Sequence, residues 1–257
     1  MQGSQVLIKL EDISKSFNDT EVLNDISLSV NGGTCFGLVG NNGVGKSTLI
    51  NILIDLIKPD KGNVEVAGKS YFEDGISIKQ LLGILPEESP VNLELTAYEQ
   101  LWLTGLMYHI PKNELSDRID SLYSFFFDDM DSLKKECSSF STGMTQKLKL
   151  VAALMHKPKI LILDEPFAGL DPSSSHQLID FLSSYLNDDR LILLSSHNLS
   201  YVEKIANRVG ILNDHHFVYD GSMEELTEKG TKIIENSLFE LIKPQRKDEG
   251  GIQWLMD

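Results

Sequence analysis

The chain has 257 residues, 41% of them hydrophobic, enough to bury a full core in one domain or two closely joined subdomains without disulfide or metal staples. Lys and Arg number 23 against 38 Asp and Glu, and the resulting net charge of −15 argues against a nucleic-acid partner, since phosphate contacts are carried by basic side chains. Cys35 and Cys137 lack metal-ligand spacing and read as small packing thiols of a reducing compartment; with no run of about eighteen apolar residues and no signal-like N-terminus, a cytoplasmic location is expected.

In chain order, Val6 to Leu10 and Ser27 to Val30 have strand-like patterns, with turn chemistry at Asn18-Asp19 and Asn31-Gly32-Gly33. Thr34 to Val39 is a short apolar run of the kind that makes a buried strand. It leads into Gly40-Asn41-Asn42-Gly43-Val44-Gly45-Lys46-Ser47-Thr48, which fits the phosphate-cradling pattern G-x-x-x-x-G-K-[ST]. A polyphosphate must be met by several backbone N–H groups at once, so side chains are absent where the loop wraps it, at Gly40, Gly43 and Gly45. Lys46 offers a cation to the β- and γ-phosphates of a nucleotide and Ser47 a hydroxyl to Mg²⁺. Ser47 to Ile57 places Leu49, Ile52, Leu53 and Leu56 on one helical face, so the order strand, loop, helix is met. After a turn at Pro59-Asp60-Lys61-Gly62, Val64 to Val66 completes the expectation of an antiparallel sheet beside the loop.

From Asn92 to His156 the period becomes helical, through Tyr98, Leu101, Trp102 and Leu106 and then Leu115, Ile119, Leu122 and Phe126. Within it, Glu114 to Glu136 carries seven acidic residues against three basic ones and reads as a solvated face. Ile160 to Leu163 and Leu191 to Leu194 are continuous apolar runs, as in parallel strands covered on both faces, with helical segments between. The first ends in Asp164-Glu165, two carboxylates that are costly after buried apolar residues without a cation. Asp164 is expected in the Mg²⁺ shell beside Ser47, and Glu165 one step on as the general base that holds a water in line with the γ-phosphate. Val209 to Leu212 and Phe217 to Tyr219 read as a hairpin with His215 and His216 in its turn, followed by a polar tail in which Trp254 and Leu255 form a candidate docking tip.

With these motifs together, roughly residues 6 to 230 resemble the ATP-binding subunit of an ATP-binding cassette (ABC) transporter. The resemblance implies an α/β P-loop NTPase of the ABC type, with a mixed central sheet, an antiparallel β subdomain and a helical insertion. The expected organisation is an ATP-binding core in 1–90 and 157–230, a helical subdomain in 91–156 and a C-terminal tail in 231–257. Ser141-Thr142-Gly143-Met144-Thr145-Gln146 is similar to the family signature, departing at Phe140, Thr142 and Met144 but keeping Ser141 and Gly143, which open a helix and make an anion site at its N-terminus. In the family this signature caps the ATP of the opposite protomer, so a homodimer or heterodimer of ATPase subunits around two MgATP is implied. Gly169-Leu170-Asp171 resembles the loop that crosses that interface, His197 resembles the switch histidine on the γ-phosphate, and Phe17 sits where the family stacks an aromatic on adenine. Where the family commonly has a Mg²⁺-contacting glutamine this chain has Glu87, in Leu85-Pro86-Glu87-Glu88, a form similar to cassettes serving separate exporter-type permeases. The implied function is ATP hydrolysis driving an integral membrane permease, with the chain peripheral on the inner face of the membrane. A soluble cassette ATPase of translation or DNA repair fits less well, as neither an internal repeat nor heptads occur, and an importer subunit less well because few residues follow the hairpin.

Overall fold

The computed structural model describes residues 5–87 and 91–242. The proposed docking tip at Trp254 and Leu255, and Glu88, lie outside the described residues. The elements in order are β1 (Val6–Phe17), β2 (Thr20–Asn31), β3 (Cys35–Val39), α1 (Lys46–Leu53), β4 (Lys61–Val66), β5 (Lys69–Ser70), α2 (Tyr71–Leu81), β6 (Leu82–Leu85), α3 (Ala97–Met107), α4 (Lys112–Phe126), α5 (Thr142–Leu154), β7 (Ile160–Asp164), α6 (Pro172–Tyr185), β8 (Leu191–Ser195), α7 (Leu199–Ile205), β9 (Arg208–Asn213), β10 (His216–Ser222), α8 (Met223–Leu226) and α9 (Ile234–Leu241).

Two sheets organise the chain. One is antiparallel, in the order β2-β1-β4-β5; the other has six strands in the order β10-β9-β3-β8-β7-β6, parallel except for the β9-β10 hairpin. The apolar runs of β3, β7 and β8 are explained by burial on both faces. Alternate residues Phe36, Leu38, Ile160, Ile162, Leu191 and Leu193 join α1 and the antiparallel sheet in one core. Their neighbours Cys35, Val39, Leu161, Leu163, Ile192 and Leu194 join α5, α6 and the helical insertion in another. Each such side chain removed from water contributes roughly 1.5–3 kcal/mol, so a polar residue in these strands is tolerated only at their ends. Asp164, one step beyond Leu163, continues the alternation onto the face of α1.

Between β6 and β7 the chain inserts α3, α4 and α5. Thr96 and Ser141 start α3 and α5 as N-caps, and a reciprocal Thr96–Glu99 pair makes a capping box at α3. All seven acidic residues from Glu114 to Glu136 are exposed, as a solvated face requires.

The sequence reading extends α1 too far. The helix stops at Leu53, Asp55 turns left-handed at φ 63°, and Leu56 is 69% exposed and off the buried stripe. Lys61 and Gly62, read as turn, begin β4, and α2 was not anticipated. Residues 234–241, assigned to the tail, form α9, with Ile234 fully buried and Ser237 Oγ donating to Leu226 O at 2.8 Å. Both cysteines are buried free thiols, and burial pushes the Cys35 thiol up to about 12.

Candidate nucleotide site

The loop after β3 shows why glycine is needed there. Gly43 has φ 78°, a conformation that strains any residue with a Cβ. Gly45, at φ 112°, also passes so close to β2 that a Cβ would lie 2.9 Å from Val22 O. It opens α1 with no side-chain cap, so the helix presents N–H groups that no side chain satisfies, the arrangement that receives an anion.

Lys46 is 8% exposed, and its ammonium donates to Gly40 O at 2.8 Å and Asn41 O at 3.1 Å. Burial lowers its pKa, and the carboxylates of Glu165, Asp164 and Glu87 oppose that shift. One cation thus faces three acids. Asp164 is 4% exposed and accepts a hydrogen bond from Ser195 Oγ on the neighbouring parallel strand, where the two residues are in register.

Glu165 does not continue the strand. Its backbone turns left-handed at φ 51°, a conformation that costs of order 1–3 kcal/mol in a non-glycine residue and that its surroundings must hold. Its N–H donates to Ser195 O at 3.2 Å, and its carbonyl accepts from Ala168 N–H at 3.1 Å and from Gln146 Nε2 at 3.1 Å. The turn carries the carboxylate toward His197, whose N–H donates to Oε1 at 2.8 Å and whose Nδ1 lies 2.8 Å from Oε2, with Ser196 Oγ donating to Oε2 at 3.3 Å. The strand-end step expected between Asp164 and Glu165 is therefore a backbone reversal, not a continued alternation.

A cleft of about 600 Å³ is lined by Phe17, Asn42, Gly43, Gly45, Lys46, Ser47, Thr48, Glu87, Asp164, Glu165 and His197, all singled out from sequence, together with Val22 and Ala168, which were not. Gly40 and Asn41 lie beneath it, as acceptors for Lys46. Ser141, Gly143 and Asp171 are not part of its wall. Ser141 Oγ caps α5 by accepting from Met144 N–H at 3.2 Å. Asp171 caps α6, accepting from Ser174 N–H at 3.0 Å and Ser174 Oγ at 2.6 Å, and these donors hold its carboxyl below the usual range. Gly143 and Gly169 pack together, a Cβ on Gly143 falling 2.7 Å from Gly169 O. Gln146, given no role from sequence, is buried on α5 opposite the Met144, Leu148, Val151 and Met155 stripe; a polar residue fits the helical pattern there, so its burial against Glu165 left no signal in the sequence.

No group of three or more His, Cys, Asp or Glu is assembled as a metal cage among the described residues. Ser47, Asp164 and Glu87 nonetheless line the same cleft as an oxygen-only donor set, which suits Mg²⁺, a cation usually held by one or two carboxylates plus substrate phosphates.

A protein-family model described as "ABC transporter" matches residues 23–168. A linearmycin resistance ATP-binding protein of Bacillus subtilis is 32% identical over 231 residues, covering 89% of this chain and 74% of that protein. A bacitracin transport ATP-binding protein of Enterococcus faecalis is 33% identical over 237 residues, covering 91% and 75%. The ABC transporter ATP-binding protein NatA of Bacillus subtilis is 32% identical over 238 residues, covering 91% and 96%. A solved structure described as the ATP-binding subunit of an ABC transporter superposes with a TM-score of 0.84 at 29% identity, covering 92% of this chain and 100% of that one.

Proposed function

Because the chain belongs to the ABC transporter family, as an ATP-binding and ATP-hydrolysing subunit, we propose that it works in a pair of such subunits that closes on two MgATP and drives export through a separate membrane permease. Relatives named for resistance to linearmycin and daunorubicin and for Nod factor export support the direction, and favour a transporter over a soluble role in translation or repair. No helix of the described residues is long and apolar enough to cross a membrane, so attachment to the inner face of the membrane falls to the permease.

In this reading Phe17 stacks on the base, and Asn41, Asn42, Thr48 and the N–H groups of the glycine loop surround the phosphates. Lys46, whose ammonium donates to the carbonyls of Gly40 and Asn41 at the cleft, is the cation that meets the terminal phosphates. Ser47, Asp164 and Glu87 would hold Mg²⁺, which would supply positive charge against the charge developing on the phosphate oxygens. Glu165 takes the proton of the attacking water, and His197, already hydrogen-bonded to it, orients that carboxylate and reaches the γ-phosphate. Residues 91–156 act as an arm receiving the transport signal, entered at Glu87.

The observation that carries the pairing is that Ser141 and Gly143 open a helix N-terminus away from the chain's own cleft, so the site is short of one wall. Gly169, packed on that helix start, and Asp171, two residues on, complete the surface offered to a second copy. Glu165→Gln keeps the shape of the base and removes its basicity, so it should bind ATP, hydrolyse it about 10²–10⁴-fold more slowly and accumulate as the closed pair. Light scattering after size exclusion in MgATP should give twice the 28.7 kDa chain mass. A monomer at saturating MgATP rules out self-pairing, and wild-type turnover removes Glu165 from the role of base.

A further inference from the structure

Phe17 is the last residue of β1, where pairing with β2 is irregular: the register shifts between Ile13 and Lys15 and again between Lys15 and Ser16. A strand end with such shifts re-aims its side chains and is not held by the ladder alone. Beside the Ser16–Glu21 and Phe17–Thr20 pairs with β2, a second hold comes from Asp60, in the connection between α1 and β4. Asp60 Oδ1 accepts from Lys15 Nζ at 2.7 Å, Oδ2 accepts from the Ser16 N–H at 2.7 Å, and the Asp60 N–H donates to Ser14 O at 2.8 Å. Three successive residues of β1 are thereby tied to one residue of a distant loop.

The tied Lys15 is 15% exposed at its side chain, and its ammonium lies 5.4 Å from the centre of the Phe17 ring. A cation at that distance over an aromatic face is attracted to the ring and restrains its tilt. The ring stays 44% exposed and lines the cleft, whereas neither Asp60 nor Lys15 does. Both carboxylate oxygens of Asp60 are spent on β1 and not on its own turn, which sets it apart from an ordinary loop aspartate.

We infer that Asp60 is a positioning residue for the nucleotide base: through Lys15 and Ser16 it sets how Phe17 meets the base, and so governs affinity for the base and ribose but not for the triphosphate. This rests on Phe17 being the base-stacking residue. Stacking on an aromatic is worth about 1–3 kcal/mol per base, so partial misalignment is expected to cost about fivefold in ATP affinity.

The test compares MgATP with magnesium tripolyphosphate, which has the phosphates and no base, by calorimetry on wild type, Asp60→Ala, Phe17→Ala and the double variant. Asp60→Ala should lose about fivefold for ATP and stay within about twofold for tripolyphosphate, and the double variant should be no weaker than Phe17→Ala alone. Lys15→Met, which leaves the Ser16 tie in place, reads the same preference should Asp60→Ala fold poorly. Equal weakening for both ligands would mean general damage to the loop and overturn the inference, as would no change for ATP or additive losses in the double variant. If Phe17→Ala itself keeps the wild-type preference for ATP over tripolyphosphate, the stacking role fails first and the inference falls with it.

Discussion

Replacing Lys46 with Ala separates two jobs done by one ammonium. It ties Gly40 O and Asn41 O together, and hydrogen bonds from a charged donor are worth about 1.5–3 kcal/mol. That gain is offset by the cost of burying a cation at 8% exposure, the same cost that lowers its pKa, so the stability of the free protein should change by only about 1 kcal/mol. The nucleotide-bound state has no such offset. Losing the cation takes away the charge that faces the terminal phosphates beside the carboxylates of Glu165, Asp164 and Glu87, and a lost charge-assisted contact of about 3–4 kcal/mol corresponds to roughly 10²–10³ in affinity. Calorimetric titration with MgATP and thermal unfolding of the free protein together measure both effects. ATP affinity within about threefold of wild type would refute the assignment of the loop. A large fall in melting temperature without loss of affinity would make Lys46 a structural clasp only.

Glu87 adds a charge where a family member commonly has an amide, so Glu87→Gln should keep substantial ATPase activity and need about fivefold more Mg²⁺ at half-maximal rate. Mg²⁺ titration at fixed ATP decides it, and an unchanged requirement would leave Glu87 a solvent-facing carboxylate. His156 gives a pH effect away from the cleft. Its ring stacks on Tyr108 with centroids 3.6 Å apart, Nε2 bonds to Leu82 O at 3.0 Å, and buried Nδ1 has no partner, so a proton there would add an unsatisfied donor. Burial pushes its pKa down to about 4. The unfolded chain, with an ordinary value of about 6.5, then takes up the proton first, so stability is full above that pH and falls as pH drops toward the folded value. Between pH 7.5 and 5 the loss should be about 1 kcal/mol once solvent screening of the partly exposed residue is allowed for, and His156→Phe, which keeps the stack, should flatten this part of the denaturant-measured stability profile. An unaltered slope would assign the effect to other groups.

Much of the site was legible because its requirements are local. A loop that wraps a phosphate needs glycine at set spacings, and a lysine and hydroxyl at the next two positions, whatever the rest of the fold does; Gly40 to Thr48 state this in nine consecutive residues. The doubly buried strands were legible as apolar runs, and Asp164-Glu165 stood out because charge directly after such a run needs a partner. The start of α5 was marked by Ser141, whose side chain caps the very next turn.

The rest depends on residues far apart in the chain meeting at particular angles. Glu165 reverses its backbone because Ser195, His197 and Gln146 converge on it from β8, the loop beyond and α5, and no periodicity encodes that meeting. Asp60 reads as a turn residue until β4 pairs with β1 and brings it beside Lys15 and Ser16. His156 is one more residue near a helix end until β6 supplies the Leu82 carbonyl and α3 leads into Tyr108. Leu56 fits a helical stripe, yet α1 ends at Leu53 because Asp55 turns left-handed and the Leu56 N–H closes back on Asn51 O, a C-cap in which a non-glycine residue takes the place glycine usually marks. Side-chain chemistry and short-range geometry are written in neighbouring residues, whereas long-range contacts exist only once the sheets have closed and loop entropy has been overcome.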